Sequence, residues 1–105
     1  MPKMYVSLIG ETEEGCYNDK AKRDLPYRLQ SAGSAGNPRR CFELAMKAGY
    51  KYAGLQRGNE CWAGNVVGKY GQTKDTDCNM PCAMDNTRNC GAAWKNHVFR
   101  VPKKG

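Results

Sequence analysis

Six cysteines in a chain of 105 residues constrain the fold more than any other feature of this sequence. A chain of this length is one domain, and its apolar core alone gives only marginal stability, so covalent cross-links are expected. An even number of cysteines in a short, Gly-rich chain is typical of a disulfide framework and an oxidising compartment. The spacing of the cysteines does not choose among the many pairings open to them. We therefore expect one disulfide-stapled domain spanning residues 1–105.

The competing interpretation of the cysteines is a zinc site. Their spacings do not repeat a paired Cys-x-x-Cys knuckle, and His97 is the only histidine. Structural zinc sites need four such ligands at short, regular spacings. We expect neither a bound metal nor another cofactor.

The balance of basic and acidic residues predicts the sign of a binding partner's charge. The chain carries 17 basic and 10 acidic residues, a net charge of +7, and the basic residues are scattered as on a solvated surface. A field of this sign favours acidic glycans or anionic cell surfaces, and nucleic acid only nonspecifically. No apolar stretch approaches membrane-spanning length.

Local patterns predict an α+β fold, with one main helix packed on a short antiparallel sheet and long loops between the elements. Asn37 and Pro38 are typical of a helix start and Gly49 of a helix end, so a helix is predicted from Pro38 to Ala48. The runs that read as strands are Met4–Ile9, Tyr50–Gln56, Glu60–Asn65 and His97–Val101. The middle two are expected to form a hairpin, and the first and last to pair and close the sheet.

Three phrases of the sequence are distinctive as written. They are Gly15-Cys16-Tyr17-Asn18-Asp19, Glu60-Cys61-Trp62 and Cys78-Asn79-Met80-Pro81-Cys82. With the intervening Arg23-Asp24-Leu25 and the later Cys90-Gly91, they resemble the WSC domain over nearly the whole chain, from about Gly15 to Val101. That family consists of small cysteine-rich extracellular modules regarded as carbohydrate-binding. The resemblance implies a secreted or cell-surface protein.

The resemblance also implies a disulfide pairing, Cys16–Cys78, Cys41–Cys61 and Cys82–Cys90. The family normally carries eight cysteines, and Ala45 and Ala63 stand here where the other two are expected. The absent bridge would have run beside Cys41–Cys61, from the helix to the hairpin.

The function implied by the resemblance is non-catalytic, lectin-like binding of a polysaccharide or cell-surface glycan. Sugar binding in water uses aromatic rings that stack on pyranoses and polar groups that bond their hydroxyls. The candidate residues are Arg57, Asn59, Glu60, Trp62, Asn65, Tyr70, Asp85 and Trp94. A core position is the competing interpretation for Trp62, which neighbours a cysteine, whereas Tyr70 and Trp94 lie in Gly-containing loops that favour exposure.

Other functions remain open alongside glycan binding. A protein-interaction module of an extracellular or receptor type requires an exposed apolar patch, and a cationic defence polypeptide requires an amphipathic basic helix that this sequence lacks. Glycoside hydrolysis requires a carboxylate pair built on Glu60, but Glu60 belongs to a framework phrase. We expect a monomer with no enzymatic activity, no specific nucleic-acid partner and no membrane span.

Overall fold

A computed structural model describes residues 6–29 and 36–104. Its elements, in chain order, are one helix and seven strands, two of them only two residues long. They are β1 (Thr12–Asn18), β2 (Tyr27–Arg28), α1 (Pro38–Lys47), β3 (Tyr52–Gln56), β4 (Glu60–Gly64), β5 (Pro81–Cys82), β6 (Asp85–Asn89) and β7 (Lys95–Arg100). The predicted α+β class is confirmed.

The helix forms where local signals predict it. The Asn37 side chain accepts a hydrogen bond from the Arg40 backbone N–H at 3.2 Å and Pro38 occupies the first helical position. The helix ends at Lys47, one residue before the predicted end, and Gly49 reverses the chain with φ of 84°. Phe42 is wholly buried together with Cys41 and Ala45, so these residues form the face that packs on the sheet.

Five strands form one antiparallel sheet in the order β1-β7-β3-β4-β2, and β5 pairs with β6 in a separate ribbon. The predicted hairpin of β3 and β4 is confirmed, with Gln56 opposite Glu60 at its closed end. Side chains of a strand alternate between the two faces of a sheet. One face of β4 therefore presents Cys61 and Ala63 to the helix, and the other presents Trp62 to a smaller cluster with Leu25 and Val98.

The predicted first strand, Met4–Ile9, is wrong where the structure describes it, while residues 1–5 lie outside the described part. Residues 6–9 are irregular, and the strand that pairs with the C-terminal strand is β1. The cause is the buried Glu11 carboxylate, which accepts hydrogen bonds from the backbone N–H groups of Leu8 and Ile9 and from the Ser7 hydroxyl at 2.8–3.1 Å. These bonds curl the segment around one side chain and override its apolar, strand-like pattern.

All six cysteines are paired as the resemblance implies. Cys16–Cys78 ties β1 to the residue that follows the short 3-10 turn Asp75–Asp77. Cys41–Cys61 ties α1 to β4, and Cys82–Cys90 closes the β5–β6 ribbon. Ala45 and Ala63 are both completely buried in the apolar cluster between the helix and the sheet. The alanine pair therefore lies in the core beside the surviving Cys41–Cys61 bridge.

Candidate functional site

The guanidinium of Arg23 lies between two tryptophan rings on the sheet face that the helix leaves free. Its central carbon is 4.4 Å from the centroid of Trp62 and 4.7 Å from that of Trp94. A cation over an indole contributes about 0.5–2 kcal/mol, more as water is excluded. Residues distant in sequence are thus joined into one unit, which we call the Arg23 face and define as Arg23, Trp62 and Trp94 with the adjoining Arg28.

The buried carboxylate of Asp19 holds Arg23 in this position. It accepts a hydrogen bond from Arg23 Nη1 at 2.9 Å and others, also at 2.9 Å, from Gln56 Nε2 and from the backbone N–H groups of Lys20 and Asp24. Burial by itself raises the pKa of the Asp19 carboxyl, but these donors outweigh it and hold the pKa below its usual range. Asp19 therefore stays ionised and fixes the loop that carries Arg23.

Trp94 occupies a strained turn that exposes its ring. Ala92 and Lys95 exchange two backbone hydrogen bonds across the two-residue connection, and Trp94 has φ of 58°. A bulky residue in this left-handed region costs roughly 1–2 kcal/mol, and such strain clusters at functional sites. The side chain is 44% exposed although Arg23 lies against the ring. Trp94 thus presents aromatic surface to solvent on a fixed backbone.

Trp62 is the buried aromatic residue of the Arg23 face, whereas Trp94 is the exposed one. Only 7% of the residue is exposed, and its indole N–H donates to Glu60 Oε1 at 3.0 Å. The guanidinium of Arg28 also lies over this ring, at 5.7 Å. The core interpretation of Trp62 is supported, although the residue contributes its buried ring to the site.

Tyr70 borders the loop that carries Arg23. Its hydroxyl donates to the Lys22 carbonyl, and the ammonium groups of Lys20 and Lys69 lie 5.1 Å and 5.7 Å from its ring centroid. The buried Asp24 carboxylate accepts hydrogen bonds from the backbone N–H groups of Gly68 and Lys69, which holds the two loops together. The rim of the Arg23 face is therefore basic.

The other predicted site residues divide into two groups. Arg57 and Asn59 lie in the β3–β4 turn, and the Arg57 N–H donates to the Ala92 carbonyl at 3.3 Å, which sets this turn beside that of Trp94. Asn65 lies past the opposite end of β4, where its side chain accepts from the Lys51 N–H at 3.0 Å. Asp85 lies in the β5–β6 ribbon and bonds Thr87. No described contact joins Asn65 or Asp85 to the Arg23 face.

Sequence reasoning missed Asp19, Arg23 and Arg28 as members of the site. Arg23 and Arg28 were counted among scattered, solvated charges, whereas the structure places both over Trp62. The available signal was the presence of Asp19 and Arg23 within the recognisable phrases, but a motif does not say which aromatic ring a cation meets. That contact is long-range and depends on the fold.

A concavity of about 590 Å³ lies beside β1, β6 and β7. Its lining includes Thr87 and Arg88, the partners of Asp85, but no residue of the Arg23 face. His97 lies in its wall, with Nε2 2.7 Å from Glu13 Oε2 and Nδ1 3.3 Å from the Asn89 carbonyl. Its apolar floor of Phe42, Leu55 and Phe99 is almost completely buried. His97 therefore links neighbouring elements, as expected for a structural histidine.

The family model for the WSC domain matches residues 14–92. The chain belongs to the WSC domain family. Xylosyltransferase oxt of Drosophila melanogaster is 32% identical over 89 residues, which cover 83% of this chain and 10% of that protein. Kremen protein 1 of Homo sapiens is 32% identical over 90 residues, covering 81% of this chain and 18% of the relative.

A fungal WSC domain-containing protein, from Arthroderma benhamiae, is 28% identical over 97 residues, covering 88% of this chain and 13% of the relative. The matched region thus spans less than a fifth of the length of each of these three relatives. WSC domains are non-catalytic modules of extracellular and cell-surface proteins, and the family suggests carbohydrate binding. Within residues 6–29 and 36–104, no helix has the length and apolarity needed to cross a membrane.

Proposed function

We propose that this WSC domain is a secreted, non-catalytic module that binds a polysaccharide or cell-surface glycan on the Arg23 face. The observation that carries the proposal is Trp94, an exposed indole fixed on a strained turn with a guanidinium beside it. A pyranose presents an apolar C–H face that stacks on such a ring, and its hydroxyls accept hydrogen bonds from neighbouring N–H donors. Arg23 supplies those donors, because a guanidinium has more N–H groups than its one bond to Asp19 uses.

The setting of the face supports reversible sugar binding over catalysis. Glu60 accepts a hydrogen bond from the Trp62 indole, and the Asp19 carboxylate is occupied by four donors. Both carboxylates therefore orient the binding groups. The secreted setting is supported by the three disulfides, which persist in oxidising compartments.

Protein binding is the other function that the family context allows, and it has weaker support. Val6, Val66 and Met84 are strongly exposed, but they lie on three separate segments, and singly exposed apolar side chains are ordinary on protein surfaces. The Arg23 face, in contrast, combines an open ring with fixed donors.

A glycan array at near-physiological ionic strength tests the proposal. The fluorescently labelled protein is expected to bind a subset of glycans saturably, and Trp94→Ala to weaken that binding about five- to tenfold through loss of stacking. Met84→Ala removes a comparably exposed apolar side chain elsewhere and is expected to bind like the parent. The absence of saturable binding to every arrayed glycan, or equal binding by the Trp94→Ala variant, contradicts the proposal.

A further inference from the structure

A basic groove lies at the end of the sheet where β3 begins and β7 ends. It encloses about 320 Å³, and the residues that line it include Tyr50 and the cationic residues Lys51, Arg100, Lys103 and Lys104. The Val101 N–H donates to the Lys51 carbonyl at 2.9 Å, and Arg100 is paired with Tyr52 in the strand register. These pairings bring the backbones of Lys51 and Arg100 together at this end of the sheet.

Among the described residues, the cations of the groove have no acidic neighbour in its lining. No carboxylate lines the groove, and none of the four cations makes an ion pair within the described part of the chain. Like charges at short range repel one another, and the repulsion is relieved when an anion binds between them. The groove therefore suits sulfate or carboxylate groups.

The short edge strand β2 lies between the Arg23 face and this groove and contacts residues of both. The guanidinium of Arg28 on the edge strand β2 lies over Trp62. Its neighbour Tyr27 stacks on Tyr50, with ring centroids 4.9 Å apart, and Tyr50 lines the groove. Arg28 and Tyr27 are consecutive in β2 and point to opposite faces of the sheet. The surface from Trp94 to Lys104 therefore runs around this edge strand rather than along one face.

We infer that this surface binds an extended acidic polysaccharide, with one sugar stacked at Trp94 and the acidic groups of later sugars in the groove of Lys51, Arg100, Lys103 and Lys104. The inference rests on the proposed glycan-binding function and names its ligand class. An acidic polysaccharide fits better than a nucleic acid, because Tyr27 and Tyr50 stack on each other and each has one ring face unavailable to a base. The three disulfides also favour an extracellular partner.

The test measures binding of heparin, chemically desulfated heparin and double-stranded DNA to the intact protein. The groove variant Lys51→Gln/Lys103→Gln is compared with Arg39→Gln/Lys74→Gln, which removes the same charge from exposed residues that do not line the groove. We expect heparin to bind more tightly than its desulfated form. We expect the groove variant to lose about three- to tenfold in heparin affinity and the control variant about twofold or less.

Each outcome bears on a separate claim. Equal losses in the two double variants, or equal affinity for heparin and desulfated heparin, overturn the inference. DNA binding as tight as heparin binding also overturns it, since the groove would then be a general polyanion site. Heparin binding by Trp94→Ala separates the two proposals. If Trp94→Ala loses heparin affinity and the groove variant does not, the proposed site on the Arg23 face is supported and the groove is contradicted. If the groove variant loses affinity and Trp94→Ala does not, the groove is supported and the proposed site on the Arg23 face is contradicted.

Discussion

At the scale of single residues, Asp19 determines the geometry of the Arg23 face. Its side chain is completely buried, yet it accepts hydrogen bonds from four donors contributed by Lys20, Arg23, Asp24 and Gln56. A buried carboxylate is tolerated only when it is satisfied in this way. The same bonds that compensate its burial fix Arg23 against the two indoles. Stability and the shape of the site therefore depend on one ionised group.

Asp19 makes a pH-dependent contribution to stability. Because its pKa in the folded state lies below the unfolded value, its carboxylate stabilises the fold above about pH 4, and this contribution is lost as pH falls through the folded pKa. We expect Asp19→Asn to lower the free energy of unfolding at pH 7 by about 1–3 kcal/mol. The gap between parent and variant should narrow as pH falls below about 4. Urea unfolding followed at several pH values measures it.

Asp85 provides a matched control for this measurement. Hydrogen bonds from Thr87 hold the pKa of its carboxyl below the usual range, but the side chain is 37% exposed. Asp85→Asn is therefore expected to change the free energy of unfolding by only about 0.5 kcal/mol or less. A gap between Asp19→Asn and the parent that stays constant with pH would mean that the carboxylate charge does not stabilise the fold.

At the scale of elements, local signals predict the helix and the central hairpin, and long-range contacts decide the rest. Asn37, Pro38 and Gly49 act within a few residues, so α1 was predicted almost to its ends. The first strand was predicted too early in the chain, because Glu11 accepts hydrogen bonds from the backbone N–H groups of Leu8 and Ile9 and keeps that segment irregular. The two-residue β2 is too short to show a periodic pattern. Exposure of Trp94 was predicted from its loop, whereas the position of Arg23 between two rings required the assembled sheet.

The helix and the hairpin also offer a test of the absent fourth bridge. We expect Ala45→Cys/Ala63→Cys to form a disulfide, because both positions are buried in the same cluster beside Cys41–Cys61. A disulfide in a small domain contributes about 2–4 kcal/mol, largely by restricting the unfolded chain. Cys41–Cys61 already closes nearly the same loop, so we expect a gain at the low end, about 1–2 kcal/mol.

A thiol assay and denaturant unfolding of the oxidised variant check this expectation. The single variant Ala45→Cys serves as the control, since it adds a buried thiol without a partner. Two free thiols in the double variant, or stability no greater than that of the parent, would show that the alanine pair is not positioned as a lost bridge.

At the scale of the whole molecule, the helix and the Arg23 face lie on opposite sides of the sheet. The helix and the Cys41–Cys61 bridge cover one face of the sheet, while the other face carries the loop of Asp19 and Arg23 and the turn of Trp94. The net charge of +7 is not spread evenly over the surface, because several of the basic residues lie beside aromatic rings or line one groove. This distribution of charge supports the proposed binding of an acidic polymer.

The central claim, that a sugar stacks on Trp94, is tested most directly by nuclear magnetic resonance of the two tryptophan indole N–H groups. The chain has two tryptophans, so each gives one signal, and Trp94→Phe assigns them. On titration with a heparin-derived oligosaccharide, we predict a saturable shift of the Trp94 signal and a smaller shift of Trp62, which is buried and bonded to Glu60. Saturable binding that leaves the Trp94 signal unmoved would contradict the claim.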